Sequence, residues 1–422
     1  MNVSAHRAFS FLRTYGYERV SCSKEERTVA EALLNECTSL GVSAQLEEFT
    51  VPCGRVSHAL LRVTSPYVKE YEVTGYERAA STPEGGLDTE FLYVENADEV
   101  LLEQAKGKIV LVNGYLNRAT YEKLRKAEAA AILTFTGRTI DRESESDLNR
   151  CKLRETLTEP FGAVPVLNMR AASAAEIVRR GAKTVHIELT GECYDGTSQN
   201  VCATIPGTGK AEEVITLGGH YDSVYFSSGV HDNLSGSVIV LELLRYFAAH
   251  PPRRTLRFCW FGSEEQGLLG SKAYVKAHAD ELKACVAMLN FDVAAPTLGS
   301  NHLVTLATDD ALHYVAGVLR EAGYGVRAKQ DTYSSDCIPF ADNGVPAINL
   351  ARFGANGADY MHNRHDSLKS GYLDEHALDI TLQQGFVLLE RLANAASFPI
   401  KREIAPEIRQ KVDEYLFKAK KE

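Results

Sequence analysis

A chain of 422 residues is longer than one ordinary domain core, so length alone predicts two or three domains. Hydrophobic residues at 45% and charged residues at 24% are ordinary for a globular protein and exclude wholesale disorder. The formal net charge of -10 argues against a general nucleic-acid or anionic-membrane binder, so neither is expected as a partner.

The first 13 residues carry no long apolar run, with His6 and Arg7 set among small residues, so no secretory signal or membrane anchor is expected and the cytoplasm is the default location. Nine cysteines, an odd number, are scattered without a CxxC pair. They fit neither a disulfide framework nor a thiolate zinc site. Residues 3–14 and 24–40 have helical spacing, and the second run opens with Ser23 followed three residues later by Glu26, a capping-box pattern closed by Gly41. Residues 42–51 alternate like a strand, which Pro52 and Gly54 are expected to end.

From 56 to 194 the character changes. Short β-rich runs at 59–63, 89–94, 108–112, 131–135, 164–167 and 184–189 are separated by modest helices, of which 121–130 and 171–180 are the best. This stretch has few histidines and no cluster of catalytic side chains, and reads as an inserted β-rich domain with a supporting role.

Strand and helix then alternate: strand 214–217, helix 235–248, strand 255–261, helix 268–277, strands 285–291 and 303–307, helix 310–321, strand 347–350 and a long helix 374–395. That rhythm predicts an α/β fold, a mostly parallel mixed sheet flanked by helices. The expected catalytic domain is discontinuous, 1–55 with 195–399, and residues 400–422 are expected to form an amphipathic helical tail.

The chemistry-bearing residues fall at the ends of these strands or in the turns after them. His220 follows one strand, Asp232 stands in a Gly-containing turn before a helix, Glu264 and Glu265 follow the next strand, and Asp292 follows Phe291; Y-M-H-N-R-H-D-S lies far downstream at 360–367. Singly, each has a bland reading: a Glu-Glu pair is usually a solvated turn, and Asp232 before Asn233 and Ser235 could be a helix cap. Together, at the ends of sheet strands, they form an imidazole and carboxylate set suited to Zn, Mn or Co. Its excess of carboxylates allows one of them to bridge two divalent ions.

The segments H-Y-D-S, D-N-L-S-G, G-S-E-E-Q-G-L-L-G-S, N-F-D and H-N-R-H-D-S, spread over 200–395, resemble in kind and order the signatures of the co-catalytic zinc aminopeptidase family, which is related to the glutamate carboxypeptidases. The resemblance implies a zinc-exopeptidase-like fold. G-K-I-V-L-V at 107–112, A-A-I-L-T-F at 130–135 and V-P-V-L-N at 164–168 resemble the protease-associated domain that some members insert, whose expected role is to cover or shape the cleft. Residue by residue, the resemblance implies two zinc ions (Co2+ or Mn2+ being possible substitutes) bridged by Asp232. His220 and Asp292 complete one ion, Glu265 and His362 the other, and Glu264 is the general base. His362 is preferred to His365 because the family places its ligand four residues before an Asp and a small hydroxyl residue, here Asp366 and Ser367.

Asp222, two residues after His220, is a candidate to accept the other ring N–H of that histidine and fix its tautomer. For the oxyanion, Tyr360 is the first candidate donor, with Tyr333 behind it. Where the family often carries Ser-Asp-His, this chain has Ser335, Asp336 and Cys337, which leaves the ligand set intact. The expected activity is aminopeptidase cleavage of peptide substrates. A carboxypeptidase remains open through Arg352 and Arg364 as carboxylate clamps. Glutaminyl cyclisation with a single zinc, and a non-catalytic receptor-like homologue, are rivals that the full ligand set opposes. Oligomeric state is left open.

Overall fold

The computed structural model describes residues 2–142, 145 and 147–418. It divides into two units, 1–51 with 197–422, and 52–196.

In the first unit, α1 (Ala5–Tyr15) is capped by Ser4, whose hydroxyl accepts the Arg7 N–H, and α2 (Lys24–Ser39) is capped in the same way by Ser23. The strand β1 (Ser43–Ser65) then runs on into the second unit instead of stopping at Pro52 and Gly54. Gly54 is there for close approach, since a Cβ would lie 2.7 Å from the Arg78 backbone nitrogen.

The second unit continues with β2 (Lys69–Tyr71), β3 (Val73–Gly75), β4 (Leu87–Tyr93), α3 (Glu99–Leu102), β5 (Ile109–Leu111), α4 (Arg118–Lys126), β6 (Ala131–Thr136), α5 (Glu155–Phe161), β7 (Val166–Arg170), α6 (Ala171–Arg179) and the start of β8 (Thr184–Ile205). Strands β4, β5, β6 and β7 pair in parallel in that order, with β8 and β3 antiparallel at the two edges. Ile109, Val110 and Leu111 are buried in succession, as expected of a parallel strand covered on both faces.

The rest of the first unit is β9 (Lys210–His220), α7 (Ser235–Ala249), β10 (Arg254–Phe261), α8 (Leu269–Ala277), β11 (Cys285–Phe291), β12 (Gly299–Leu306), α9 (Asp309–Glu321), β13 (Arg327–Gln330), α10 (Cys337–Asp342), β14 (Ala347–Gly354), α11 (Glu375–Asn394) and α12 (Pro406–Tyr415). Its sheet runs β13-β12-β14-β11-β9-β10-β8. The centre, β14-β11-β9-β10, is parallel, while β8 and β12 pair antiparallel with their neighbours β10 and β14. One face packs on α1, α2, α7, α9 and α11, the other on α8, α10 and α12. The expected tail helix is shorter than the sequence pattern suggested, spanning Pro406–Tyr415, with Ile408 and Val412 buried against the second face. Its last four residues, 419–422, lie outside the described residues. No helix among the described residues is long and apolar enough to cross a membrane.

What matters for chemistry is β9. Its sequence-later neighbours β10 and β11 lie on opposite sides of it, so the strand order reverses there and a crevice opens at the carboxyl ends. The register places Phe261 beside His220 and Asn290 beside Gly218, so the three strands end nearly level.

Candidate metal centre

His220 is the last residue of β9, Glu264 and Glu265 follow β10 by a short turn, and Asp292 follows β11 directly. Asp232 sits between β9 and α7, and the Asp232–Asn233 peptide is cis. The Asn233 side chain ties this turn to the end of β11: its amide donates to Phe291 O at 2.8 Å, and its carbonyl accepts the backbone N–H groups of Gly236 and Val293, each at 3.0 Å. Gly236 is required for that approach, since a Cβ would fall 2.1 Å from Phe291 O.

Side chains from four loops converge here. His220 Nε2 lies 3.2 Å from Asp232 Oδ1 and 3.7 Å from Asp292 Oδ1. On the other side, His362 Nε2 lies 3.0 Å from Asp232 Oδ2 and 3.2 Å from Glu265 Oε2. Among the described residues three candidate ligand groups result: His220 with Asp232 and Asp292, His362 with Asp232 and Glu265, and His220 with Glu264 and Glu265. Asp232 belongs to the first two and turns a different oxygen to each histidine. Glu264 Oε2 lies 3.8 Å from His220 Nε2, about as far as Asp292.

The electrostatics call for a cation. Asp232, Glu264 and Asp292 are all buried, and the Glu265 side chain is only 7% exposed. Buried carboxylates at such separations need positive charge between them. Burial would strip the proton from His220, yet Glu264, Asp222, Asp232 and Asp292 outweigh it and hold its pKa well above the ordinary value. The charge of Glu265, opposed by burial and helped by Asp232, pushes His362 up to about 12. Burial raises Asp292 and Glu265 in turn, each partly offset by its histidine. Asp232 goes the other way, because its two histidines overcome burial and pull it down. Surroundings that hold protons on two imidazoles this firmly would hold divalent ions in their place. The nitrogen and oxygen donor set fits zinc.

Asp222 lies 3.3 Å from His220 Nδ1, and its two oxygens also accept the backbone N–H groups of Glu264 at 3.0 Å and Glu265 at 3.2 Å. It therefore fixes the β10 turn as well as facing the histidine. The hydroxyl of Tyr360 donates to Gly357 O at 2.8 Å, within its own loop. Tyr333 is the tyrosine in the field of the site: burial first, then the charges of Asp292, Asp232 and Glu264, drive its pKa well above the phenol value. His365 stands against the Tyr360 ring, 5.4 Å between centroids, outside all three ligand groups. Cys337 is fully buried, its sulfur 3.9 Å from Met288 Sδ, and burial drives its thiol upward, as suits a packed hydrophobe.

Sequence reasoning missed several supporting groups. Asp366 accepts the backbone N–H of His231 at 2.7 Å and of Asp232 at 3.0 Å, so it orients the shared carboxylate. The only signal for it was its place in the H-N-R-H-D-S segment. Glu26 keeps half of its expected capping box, its N–H donating to Ser23 Oγ, but turns its carboxylate away to Ser263 N and Ser198 Oγ. Burial, reinforced by the Asp222 charge, pushes it up to about 8. Arg19 is fully buried, and desolvation lowers its guanidinium to about 10, well inside the charged range at neutral pH.

Fold and site together define a metal-dependent hydrolase of the zinc exopeptidase class. Residues 200–383 match the model of peptidase family M28. The chain is 27% identical over 345 residues to aminopeptidase YwaD of Bacillus subtilis, covering 79% of this chain and 71% of that protein. It is also 27% identical over 274 residues to carboxypeptidase Q of Mus musculus, covering 62% of this chain and 58% of that one. Among solved structures, a zinc aminopeptidase from Bacillus subtilis superposes with a TM-score of 0.78 at 21% identity, over 96% of this chain and 99% of that one, a likeness of fold.

Proposed function

We propose that the protein is an aminopeptidase that removes N-terminal residues from peptides at a two-zinc centre. The observation that carries this reading is Asp232, whose two oxygens face two separate histidines within two ligand sets. His220, Asp232 and Asp292 would hold one ion, and His362, Asp232 and Glu265 the other. When bound, zinc supplies Lewis-acid polarisation of the scissile carbonyl and of the attacking water.

The chain's own residues do the remaining work. Glu264 is buried beside His220 and Glu265 and outside the two groups that share Asp232, and burial drives its pKa well up despite the opposing charge of His220. A carboxylate with raised proton affinity is suited to take the proton from water and pass it to the leaving amine. Asp222 holds the backbone that carries it. Tyr333, whose phenol is kept protonated, is the proposed donor to the developing oxyanion.

Arg352 does not favour a carboxypeptidase. It is only 8% exposed, and its guanidinium donates to Pro296 O, Thr297 O and Asn301 Oδ1, so it holds a loop in place of clamping a substrate carboxylate. The second unit is read as a protease-associated domain on its G-K-I-V-L-V strand and parallel neighbours.

The test is a panel of peptides with free or blocked termini, incubated with the zinc-loaded enzyme and resolved by mass spectrometry. An aminopeptidase shortens peptides from a free N-terminus and leaves N-blocked ones intact. Loss of C-terminal residues from N-blocked peptides would establish a carboxypeptidase instead, and undiminished cleavage after chelation and dialysis would refute the metal mechanism.

A further inference from the structure

We propose that the segment from Arg19 to Glu26, which contributes no metal ligand, is a buried brace that sets the positions of the two ligand loops after β9 and β10, with Arg19 and Glu26 as its positioning residues. The inference rests on the metal-centre reading above. It assigns a role to residues that helix-pattern reasoning treats as a linker and a cap.

The Arg19 end grips the loop between His220 and Asp232. Its guanidinium donates to Tyr221 O at 2.7 Å, Ser228 O at 2.7 Å and Gly229 O at 2.9 Å, as well as to Tyr15 O and Tyr17 O. The backbone adds a reciprocal pair, Arg19 N–H to Ser223 Oγ at 2.9 Å and Ser223 N–H to Arg19 O at 3.1 Å. The gripped residues follow His220 directly and precede Asp232 closely, so one planar fork fixes the separation of two ligands. Gly229 has φ +53°, and an added Cβ would lie 3.0 Å from Arg19 Nη2 and 2.5 Å from Ser223 Cβ, so the loop is closed tightly on the fork.

The Glu26 end grips the turn that carries Glu264 and Glu265. Glu26 Oε1 accepts Ser263 N–H at 3.2 Å and Ser198 O–H at 2.8 Å, while Oε2 accepts Cys22 N–H at 2.7 Å. Ser21 Oγ and Ser263 Oγ add a contact at 2.5 Å. Ser263 has φ +54°, an unfavourable conformation for a residue with a Cβ, and these partners offset its cost. Arg19, Glu26, Ser198, Ser223 and Ser263 are all buried. A single guanidinium satisfying carbonyls from separate segments is a geometry that lysine, with its point charge, cannot reproduce.

The two ends therefore carry separable expectations. Arg19→Lys keeps the charge and loses the fork, so the His220 to Asp232 spacing relaxes and zinc affinity should fall at least tenfold. Glu26→Gln keeps an acceptor and loses one side of the grip, so the base shifts together with its neighbour Glu265, while the ligands of the other loop stay. Its kcat should fall at least tenfold at unchanged KM, since small misplacements of a reacting group are costly.

The experiment measures zinc affinity by competition with a chromophoric chelator, kcat and KM on an aminoacyl arylamide, and thermal melting, for wild type and both variants. Folded variants with a lowered Tm but wild-type zinc affinity and kcat would overturn the brace and leave a purely stabilising segment. If Arg19→Lys does not fold, Ser223→Ala removes the acceptor for the Arg19 N–H together with the hydroxyl's own bond to Ser227 O, and is expected to weaken zinc binding measurably; unchanged affinity there overturns the Arg19 half. A wild type that binds zinc but cleaves no peptide defeats the functional reading alone, because the zinc-affinity arm still judges the brace.

Discussion

Glu264 and Glu265 are adjacent in sequence and are proposed to take different parts. Glu265 lies 3.2 Å from His362, whereas Glu264 faces His220 at 3.8 Å, and its role as base and not ligand is the proposed difference. The difference is testable: Glu264→Gln should retain zinc and lose about 10²- to 10⁴-fold in kcat, the range general acid–base catalysis supplies. Wild-type turnover with full metal content would remove Glu264 from the mechanism. The tyrosines divide similarly. Tyr360 spends its hydroxyl on Gly357 O, while burial and the charges of Asp292, Asp232 and Glu264 raise the Tyr333 phenol. Tyr333→Phe is therefore expected to lower kcat by about 10²- to 10³-fold, with Tyr360→Phe close to wild type; the reverse ranking in steady-state kinetics would restore Tyr360 as the donor. Sequence order favoured Tyr360, which stands two residues before His362, and only its hydroxyl's bond to Gly357 O speaks against it.

At the scale of elements, the strands and helices around the site were legible because each carries a period and a stop signal. Helix α7 and strands β10 and β11 follow directly from their apolar patterns. What was not legible depends on contacts far apart in sequence. Strand β1 passes through Pro52 because the residues around it are buried, and Glu26 leaves its own helix cap for Ser263, 237 residues away. His278, at the end of α8, shows the same long-range dependence. Its Nε2 lies 2.9 Å from Glu47 Oε2 on β1 and its Nδ1 3.0 Å from Glu281 Oε1, with the ring against Tyr274. Burial works against its charge, but the two carboxylates prevail and raise it above 6.5. The folded state thus holds the proton more tightly than the unfolded chain. The stabilisation is complete below about pH 6.5 and is lost as pH rises through the raised folded value. Denaturant melts of wild type and His278→Gln at a series of pH values should show a stability gap that narrows from pH 6 to pH 9. A gap that is flat or widens with pH would mean that packing on Tyr274, and not the charge, accounts for the contribution.

For the whole molecule, the consequence of burying four carboxylates at the end of one sheet is that metal and fold are linked. The ligands come from the ends of β9, β10 and β11 and from the loops holding Asp232 and His362, all within the first unit. The second unit contributes no residue to these sets. A ligand that binds only the folded form stabilises it by RT ln(1 + [L]/Kd), about 4 kcal/mol when free metal exceeds Kd a thousandfold. Chelation should therefore lower the stability of the first unit by a few kcal/mol and return its acids to mutual repulsion, while the parallel sheet of the second unit keeps its own core of Ile109, Leu111, Leu133 and Leu167. Hydrogen exchange followed by mass spectrometry resolves the two. After metal removal, protection should fall in peptides covering 214–220, 254–265 and 285–292 and hold in those covering 109–111 and 131–136, and re-addition of zinc should restore the first set. Equal loss of protection in both units would show that they unfold as one cooperative body. Unchanged protection at 214–220 would show that the site is stable without a cation, against the electrostatic argument on which the metal assignment stands.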